Sequence, residues 1–260
     1  MSRVRIDSLL AERGVFPSRS RAAAAVLAGE VQVGDPGRLA RKPGELVGPD
    51  SAIHVADGPR YVSRGGHKLA NALDALAIDP QGRSCLDAGA STGGFTDCLL
   101  QRGATRVCAA DVAYGELAWA LRTDDRVEVL ERTNVRHLEP SAIGFTPTLV
   151  VADLSFIPLL KVLDPLASCI DDDGEMLLMV KPQFEVGRDR VGKGGVVRDP
   201  AERRRALRLV ADGAAARGLV ARGFASSGLP GPKGNRETFL WSGRRGEGVD
   251  VDAAIARVEP

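Results

Sequence analysis

Short apolar runs alternate with helix-like segments over most of the chain, and this alternation restricts the possible folds more than any other feature. Most runs are apolar throughout, which is typical of strands covered on both faces of a sheet. The expected strands are Ser84–Ala88, Arg106–Ala110, Val127–Leu130, Leu149–Ala152, Met176–Val180, Leu219–Phe224 and Thr238–Trp241. The expected helices are Phe95–Arg102, Gly115–Arg122, Pro158–Ile170 and Ala201–Arg217. This order predicts an α/β fold with a doubly wound, mostly parallel, seven-stranded Rossmann-like sheet.

Length and composition fit a soluble chain of one or two domains. The chain has 260 residues, 44% apolar and 27% charged, and its 35 basic and 34 acidic side chains leave a net charge of +1. No apolar run approaches the roughly 20 residues that span a bilayer, and Met1–Arg5 lacks the apolar stretch of a signal peptide. The four cysteines form no CxxC pair and no cluster with histidine. We therefore expect a monomeric, cytoplasmic protein with neither a bound metal nor a membrane contact.

The first 42 residues carry a positive charge that the average conceals. Eight basic side chains stand there against four acidic ones, a local net charge of +4. Asp7 is the expected N-cap of a first helix that ends at Gly14, and Pro17-Ser18 begins a second helix that ends at Gly29. Short extended segments follow, at Val31–Val33, Leu46–Val47 and Ile53–Val55.

This segment resembles the S4 RNA-binding domain, in which two short helices precede a small sheet. The resemblance covers roughly residues 3–57 and includes Arg5-Ile6-Asp7-Ser8-Leu9-Leu10 and Leu27-Ala28-Gly29-Glu30-Val31-Gln32-Val33-Gly34. Arg13, Arg19 and Arg21 fall near the turn between the helices, where they can contact phosphates together. A helical hairpin whose arginines only confer solubility is the alternative. The expected domains are residues 1–58 for the S4-like unit, 59–63 for a linker and 64–260 for the α/β unit.

A glycine-rich turn follows the first strand of the expected sheet. Gly89 to Gly94 reads G-x-x-x-G-G after Asp87, and glycines there let the backbone approach a ligand closely. The spacing is neither the G-x-G-x-x-G of dinucleotide sites nor a P-loop. It resembles the S-adenosylmethionine loop of class I methyltransferases, in which an acidic residue precedes G-x-x-x-G. A plain strand-to-helix turn is the alternative.

That resemblance implies cofactor contacts at the ends of consecutive strands. Asp111, after the second strand, is expected to accept hydrogen bonds from both ribose hydroxyls, and Asn134, after the third, to lie beside the adenine. The full expected set is Asp87, Gly89, Ala90, Ser91, Thr92, Gly93, Gly94, Phe95, Asp111, Asn134 and Asp153.

Four charged residues indicate the chemistry. Asp153 and Lys181 end the fourth and fifth strands, Lys68 follows the linker, and Glu237 begins the last strand. Burying an unpaired lysine is costly, so a Lys181–Asp153 ion pair that only joins two strands is one explanation. The order Lys-Asp-Lys-Glu also resembles the catalytic tetrad of the RrmJ/FtsJ-like 2′-O-ribose methyltransferases.

The tetrad resemblance implies methyl transfer from S-adenosylmethionine to a ribose hydroxyl, which must lose its proton as it attacks. Partial burial and a neighbouring ammonium both make a lysine easier to deprotonate, which suits Lys181 as the general base. Asp153 would orient Lys181 and the hydroxyl, while Lys68 and Glu237 would complete the network.

Nearly the whole chain is similar to the TlyA family, often labelled haemolysin-like. The similarity rests on the S4-like start, on Val62-Ser63-Arg64-Gly65-Gly66-His67-Lys68-Leu69, and on Ala152-Asp153-Leu154-Ser155-Phe156-Ile157 and Val180-Lys181-Pro182-Gln183-Phe184-Glu185. It implies methylation of the cytidine 2′-hydroxyl in ribosomal RNA, in both subunits for actinobacterial members, whose loss gives resistance to capreomycin-type antibiotics. One departure is Arg60-Tyr61-Val62, where such members usually carry Arg, a small residue, Trp and Val.

Ribosomal RNA or ribosomal subunits are therefore the expected partner. Because only 4% of the residues are aromatic, we expect contacts with phosphates and RNA shape, and Trp119 and Trp241 in the core. The expected RNA contacts are Arg3, Arg5, Arg13, Arg19, Arg21, Arg60, Arg64, Arg188 and Lys193. A membrane-active haemolysin, an inactive RNA-binding or ribosome-assembly factor, and a methyltransferase for small molecules or proteins remain alternatives.

Overall fold

A computed structural model describes residues 3–55, 60–231 and 233–260 of the chain. The turn-rich break expected at Asp57-Gly58-Pro59-Arg60 lies, apart from Arg60, outside the described residues. None of the described helices is long and apolar enough to cross a bilayer.

The N-terminal unit packs two helices on short strands. Its elements are β1 (Val4–Arg5), α1 (Ile6–Glu12), α2 (Arg19–Ala28), β2 (Val31–Val33), β3 (Arg38–Leu39), β4 (Leu46–Val47) and β5 (Ile53–Val55). Strand β1 pairs with β4, and β3, β2 and β5 form an antiparallel sheet in that order. The Ser18 hydroxyl caps α2 by accepting from the Arg21 N–H, and Gly29 ends α2 with φ +81°. Both ends of α2 confirm the sequence prediction.

Asp7 does not cap the first helix, contrary to the sequence prediction. Arg5 occupies the N-cap position, and Asp7 lies buried in the first turn of α1. Its carboxylate is held there by the guanidinium groups of Arg5, at 2.7 Å, and Arg19, at 3.1 Å. These two charges keep the pKa of Asp7 down at about 2, and the buried carboxylate thereby joins α1 to α2.

The α/β unit is built on one seven-stranded sheet in the order β11-β12-β10-β9-β6-β7-β8. The strands are β6 (Ser84–Ala88), β7 (Arg106–Ala110), β8 (Val127–Leu130), β9 (Leu149–Ala152), β10 (Glu175–Val180), β11 (Val220–Ser226) and β12 (Thr238–Gly243). Five of them, β6 to β10, run parallel, whereas β12 runs antiparallel to both of its neighbours. The predicted mostly parallel sheet is confirmed.

Helices cover both faces of this sheet. They are α3 (Arg64–Leu76), α4 (Gly94–Gln101), α5 (Trp119–Arg122), α6 (Leu163–Cys169), α7 (Pro182–Glu185), α8 (Pro200–Ala215) and α9 (Val251–Val258). Leu73 of α3, Leu99 of α4 and Leu121 of α5 belong to one buried apolar cluster. Leu166 of α6 and Val210 of α8 belong to a second cluster. The sheet is therefore doubly wound, with its carboxyl edge left open.

Two expected helices are shorter than predicted, for local backbone reasons. Gly115 has φ +76°, so the segment Gly115–Arg122 becomes helical only at Trp119. Pro165 cannot sit inside a helix that starts at Pro158, because its ring clashes with the carbonyl four residues earlier. That segment is a 3-10 turn at Leu159–Lys161 followed by α6. Trp119 was expected in the core, and this was wrong: its side chain is 74% exposed.

Candidate active site

The strand register brings the predicted site residues to one edge of the sheet. The last residues of β6, β7 and β9 pair across the sheet, so Gly89, Asp111 and Asp153, which follow them directly, lie in one row. Val180 of β10 pairs with Thr238 of β12. Lys181 after Val180 and Glu237 before Thr238 are therefore neighbours as well.

The turn after β6 requires glycine at its first position. Gly89 has φ +90°, and a Cβ atom there would lie 2.6 Å from the carbonyl oxygen of Asp153. The following turn is held by the backbone N–H of Ser91, which donates to the Asp111 carboxylate at 2.8 Å. The N–H of Ala113 donates to the other carboxylate oxygen of Asp111, also at 2.8 Å. The turn and Asp111 thus form one rigid corner.

A cavity of about 500 Å³ opens beside this corner. Asp111 and Asn134 border it, as predicted, and Asn134 also caps a 3-10 turn by accepting from the Arg136 N–H at 3.1 Å. Its lining is Gly89, Ser91, Asp111, Val112, Ala113, Glu116, Asn134, Val135, Arg136, Asp153, Leu154, Ser155, Phe156, Ile157 and Val162. The cavity wall carries three carboxylates and is therefore suited to a cationic ligand with hydroxyl donors.

Asp87 and Gly93 belong to the framework of the turn and do not border this cavity. The Asp87 carboxylate is fully buried and accepts from the Thr96 N–H at 2.9 Å and the Thr96 hydroxyl at 2.7 Å. Burial raises the pKa of Asp87 to about 7, with a smaller contribution from the negative charge of Asp153. Gly93 starts α4 with φ +96°, and a Cβ there would meet Leu121.

The four residues of the predicted tetrad meet in one place. Lys181 forms an ion pair with Asp153 at 2.5 Å, and Lys68, from α3, forms an ion pair with Glu237. All four border a cavity of about 270 Å³ that also touches the glycine turn through Gly89 to Thr92, Gly94 and Phe95. The two ion pairs therefore stand directly against the candidate cofactor site.

A third cavity, of about 360 Å³, adjoins the tetrad on its outer side. It shares Lys181 and Glu237 with the tetrad cavity and is bordered by Phe156 and Phe184, whose rings lie 5.4 Å apart. The Phe156 side chain is 90% exposed. This cavity has the position expected for the substrate group that would react beside Lys181.

Several residues of the site were not among the expected site residues. Ser155 and Phe156 follow Asp153 and border the cavities, Glu116 accepts from the Ser91 hydroxyl at 3.2 Å, and Ser63 borders the tetrad cavity. Ser63, Ser155 and Phe156 lie in the segments that carry the family similarity, whereas Glu116 has no such signal.

In the N-terminal unit, some of the basic residues predicted to contact RNA bind other groups of the protein, and others are exposed. Arg5 and Arg19 both bind the Asp7 carboxylate. Arg13 donates to the carbonyl oxygens of Ser51, at 3.0 Å, and Pro49. Arg3 and Arg21 are exposed.

In the α/β unit these basic residues lie in or next to the linker, at the start of α3 and on the loop after α7. Arg60 is exposed and stacks 5.2 Å from the ring centroid of Tyr61. Arg64 is half-buried and donates to the Pro230 carbonyl at 3.0 Å, and burial lowers its pKa. Arg188 and Lys193 are exposed. The described residues contain no group of three or more His, Cys, Asp or Glu side chains that could hold a metal ion.

The fold and the site together define a class I methyltransferase, an enzyme that takes its methyl group from S-adenosylmethionine. Its residues fit that cofactor. Gly89 leaves the room beside Asp153 that a Cβ would fill, and Asp111 offers carboxylate oxygens at the rim of the 500 Å³ cavity. The acidic lining also suits the positive sulfonium.

The chain belongs to the FtsJ-like methyltransferase family, whose family model matches residues 61–244. It is 54% identical over 241 residues to the 16S/23S rRNA (cytidine-2′-O)-methyltransferase TlyA of Mycobacterium tuberculosis, which is 92% of this chain and 89% of the relative. A solved structure that carries the hemolysin name, from Streptococcus thermophilus, superposes with a TM-score of 0.74 at 35% identity, covering 99% of this chain and 96% of that one. A Listeria monocytogenes protein described as an S-adenosylmethionine-dependent methyltransferase shares the fold at a TM-score of 0.51 and 13% identity, over 70% of this chain and 99% of that one.

Proposed function

We propose that this protein transfers a methyl group from S-adenosylmethionine to the 2′-hydroxyl of cytidine in ribosomal RNA, with Lys181 as the general base. The observation that carries the proposal is the pair of ion pairs, Lys181–Asp153 and Lys68–Glu237, between the cofactor cavity and the outer cavity. The name of the M. tuberculosis relative supports the choice of cytidine and of both ribosomal subunits as substrates.

The arrangement suits the chemistry of a ribose hydroxyl, which is a weak nucleophile. The bound cofactor supplies an electrophilic methyl carbon. The transfer would join the hydroxyl oxygen to that carbon and release the sulfur, and Lys181, as a neutral amine, would take the hydroxyl proton. Asp153, 2.5 Å from Lys181 Nζ, holds the amine in place. Lys68 and Glu237 bind each other at the same cavity and steady the substrate.

The N-terminal unit is proposed to be the S4-like RNA-binding domain, with a boundary near residue 58. Arg3 and Arg21 are exposed there, while Arg5 and Arg19 are held by Asp7. On the α/β unit, exposed Arg188 and Lys193 lie on the loop that follows α7, close in sequence to Lys181. Basic groups at both places can contact separate phosphates of one folded RNA. A protein acting on ribosomal RNA works in the cytoplasm.

Lysine-to-arginine exchange tests the base directly. Arginine keeps the positive charge but does not lose its proton near neutral pH. We expect both Lys181→Arg and Lys181→Ala to lower single-turnover methylation by about 100-fold or more, with S-adenosylmethionine affinity retained. The measurement is transfer of a tritiated methyl group to purified small and large ribosomal subunits, followed by mapping of the modified nucleotide.

The exposed Lys161→Arg is the matched control and should methylate like the parent protein. An active Lys181→Arg protein would refute the base assignment but not the reaction. Absence of transfer from the parent protein to either subunit would refute the reaction. The S. thermophilus structure carries the hemolysin name, so membrane activity of this protein is tested with a liposome leakage assay. Leakage that is unchanged by Asp153→Ala would indicate a membrane activity independent of methyl transfer.

A further inference from the structure

Ser155 stands where the three cavities meet. It borders the cofactor cavity, the tetrad cavity and the outer cavity. Its hydroxyl oxygen accepts a hydrogen bond from Lys181 Nζ at 2.9 Å. Ser155 is thus in direct contact with the proposed base, although it does not belong to the tetrad.

The bonding geometry of Lys181 explains what this acceptor does. A lysine nitrogen has three positions besides its bond to Cε, and in the neutral amine two are N–H groups and one is the lone pair. Ser155 Oγ at 2.9 Å accepts one N–H, whereas Asp153 Oδ1 lies 2.5 Å from Nζ as an ion-pair contact without a hydrogen bond. The negative charge of Asp153 disfavours the lone pair on its side, which leaves the lone pair in the third position. Without Ser155, the amine can rotate and present an N–H there instead.

We propose that Ser155 is a positioning residue for Lys181: its hydroxyl accepts one N–H of the amine and turns the lone pair toward the ribose hydroxyl. The proposal rests on the proposed function, because it needs Lys181 as the base. In it, Ser155 supplies the hydrogen-bond acceptor and Asp153 the neighbouring negative charge, from positions two residues apart on one loop.

That loop is held at its far end as well. Phe156 has φ +65°, a left-handed conformation that is unfavourable for a bulky residue and must be maintained by its surroundings. Three residues further on, the Leu159 N–H donates to the buried carboxylate of Glu185 at 2.9 Å. The ring of Phe184, next to Glu185, lies 5.4 Å from that of Phe156. Ser155 therefore sits on a fixed segment.

A merely structural role for the hydroxyl has little support from its surroundings. Ser155 is exposed, and among the described residues its side chain makes one hydrogen bond, the one from Lys181. Removing the oxygen leaves no cavity in the core, so we expect Ser155→Ala to unfold at the temperature of the parent protein.

Ser155→Ala is the test, with Ser155→Thr as the variant that restores the hydroxyl. The control is Ser168→Ala, an exposed serine on α6 whose hydroxyl donates to the Pro165 carbonyl at 2.7 Å. We expect kcat for RNA methylation to fall about 10- to 100-fold in Ser155→Ala, the usual effect of losing one hydrogen bond to a charged group. The KM for RNA and the affinity for S-adenosylmethionine should change little, and Ser155→Thr should recover most of the rate.

The split between kcat and KM, together with the rescue by Ser155→Thr, separates positioning from a general loss of structure. An unchanged kcat, or a loss that appears only as weaker cofactor or RNA binding, overturns the proposal. A fully active Lys181→Arg protein would instead refute Lys181 as the base. The base assignment and the role of Ser155 are therefore tested by different variants.

Discussion

Glu185 shows how burial sets the chemistry of a single residue near the site. One of its carboxylate oxygens accepts from the Leu159 N–H, and the other is buried without a partner among the described residues. Burial raises the pKa of Glu185 from its ordinary value of 4.5 to about 7. Below pH 4.5 the folded and unfolded chains both hold this proton. Between pH 4.5 and about 7 only the folded chain holds it, so raising the pH there favours unfolding.

The stabilising effect of Glu185→Gln should therefore be larger at high pH than at low pH. The amide oxygen can still accept from Leu159, and no charge has to be buried. We expect its free energy of unfolding to gain on that of the parent protein by up to about 3 kcal/mol between pH 4.5 and pH 8. Urea unfolding at a series of pH values measures the gain. The same substitution at exposed Glu12 is the control, and a gain at Glu185 that does not depend on pH would contradict the assignment.

At the scale of elements, the turn between β6 and α4 fixes the cofactor site through backbone packing. Gly89→Ala places a methyl group 2.6 Å from the Asp153 carbonyl oxygen at a positive φ. Gly82 also has a positive φ, +75°, but a Cβ there meets nothing within 4 Å. The two substitutions impose the same kind of backbone strain, about 1 kcal/mol, and differ in the contact.

We expect Gly89→Ala to weaken S-adenosylmethionine binding at least about tenfold, because the turn and Asp153 must move apart. Gly82→Ala should lose some stability and bind normally. Calorimetric titration of both proteins with the cofactor measures the difference. Equal affinities for the two variants would show that the turn does not hold the cofactor.

The elements also show which parts of the fold a sequence pattern can predict. Strands β6, β7, β8 and β9 have the predicted bounds, because a short, mostly apolar run between turn residues leaves little alternative. Helix α3 was not predicted, since Gly65-Gly66 favours a linker. In the structure Gly66 packs on the Tyr61 ring, where a Cβ would lie 2.3 Å from Cγ. Tertiary packing of this kind overrides local preference.

The residues of the candidate site also divide into those that a sequence pattern can predict and those that it cannot. Asp153, Lys181 and Asp111 could be predicted because each ends a strand, and the strand ends of a parallel sheet meet at one edge. Ser155 and Glu185 depend on how a loop folds back over a one-turn helix, and their sequence positions carry no periodic signal. Asp87 was expected at the cofactor, whereas its carboxylate is bound to Thr96 inside the protein. Residue type and spacing do not reveal on which side of a turn a side chain lies.

At the scale of the whole molecule, the two units touch at the end of α2. A Cβ at Gly29 would lie 2.7 Å from the ring of His67, which is buried and directly precedes Lys68 on α3. Burial, together with the charges of Arg60 and Arg64, lowers the pKa of His67, so a neutral ring packs against the N-terminal unit. The net charge of +4 over the first 42 residues falls to +1 over residues 1–58, because Glu45, Asp50 and Asp57 follow, and residues 59–260 carry equal numbers of basic and acidic side chains.

Gly29→Ala should separate the two units without damaging either. We expect methylation of ribosomal subunits to fall about tenfold, because RNA bound by the proposed RNA-binding unit would no longer be aligned with the site, while cofactor affinity stays unchanged. The control is Gly14→Ala, which has a similar φ of +70° and no atom within 4 Å of the new Cβ. If both variants methylate equally well, contact at His67 does not align the RNA.

Strand β12 enters the sheet against the direction of its neighbours, and its amino end therefore lies at the carboxyl edge beside Lys181. The ion pair between Lys68 and Glu237 joins residues 169 positions apart in the chain. The site closes only when the first helix of the α/β unit and the last strand of its sheet are both in place. A half-folded chain with well-paired central strands can form the cofactor turn but lacks one of the two ion pairs. A fragment that lacks either α3 or β12 therefore lacks the Lys68–Glu237 ion pair and should not methylate RNA.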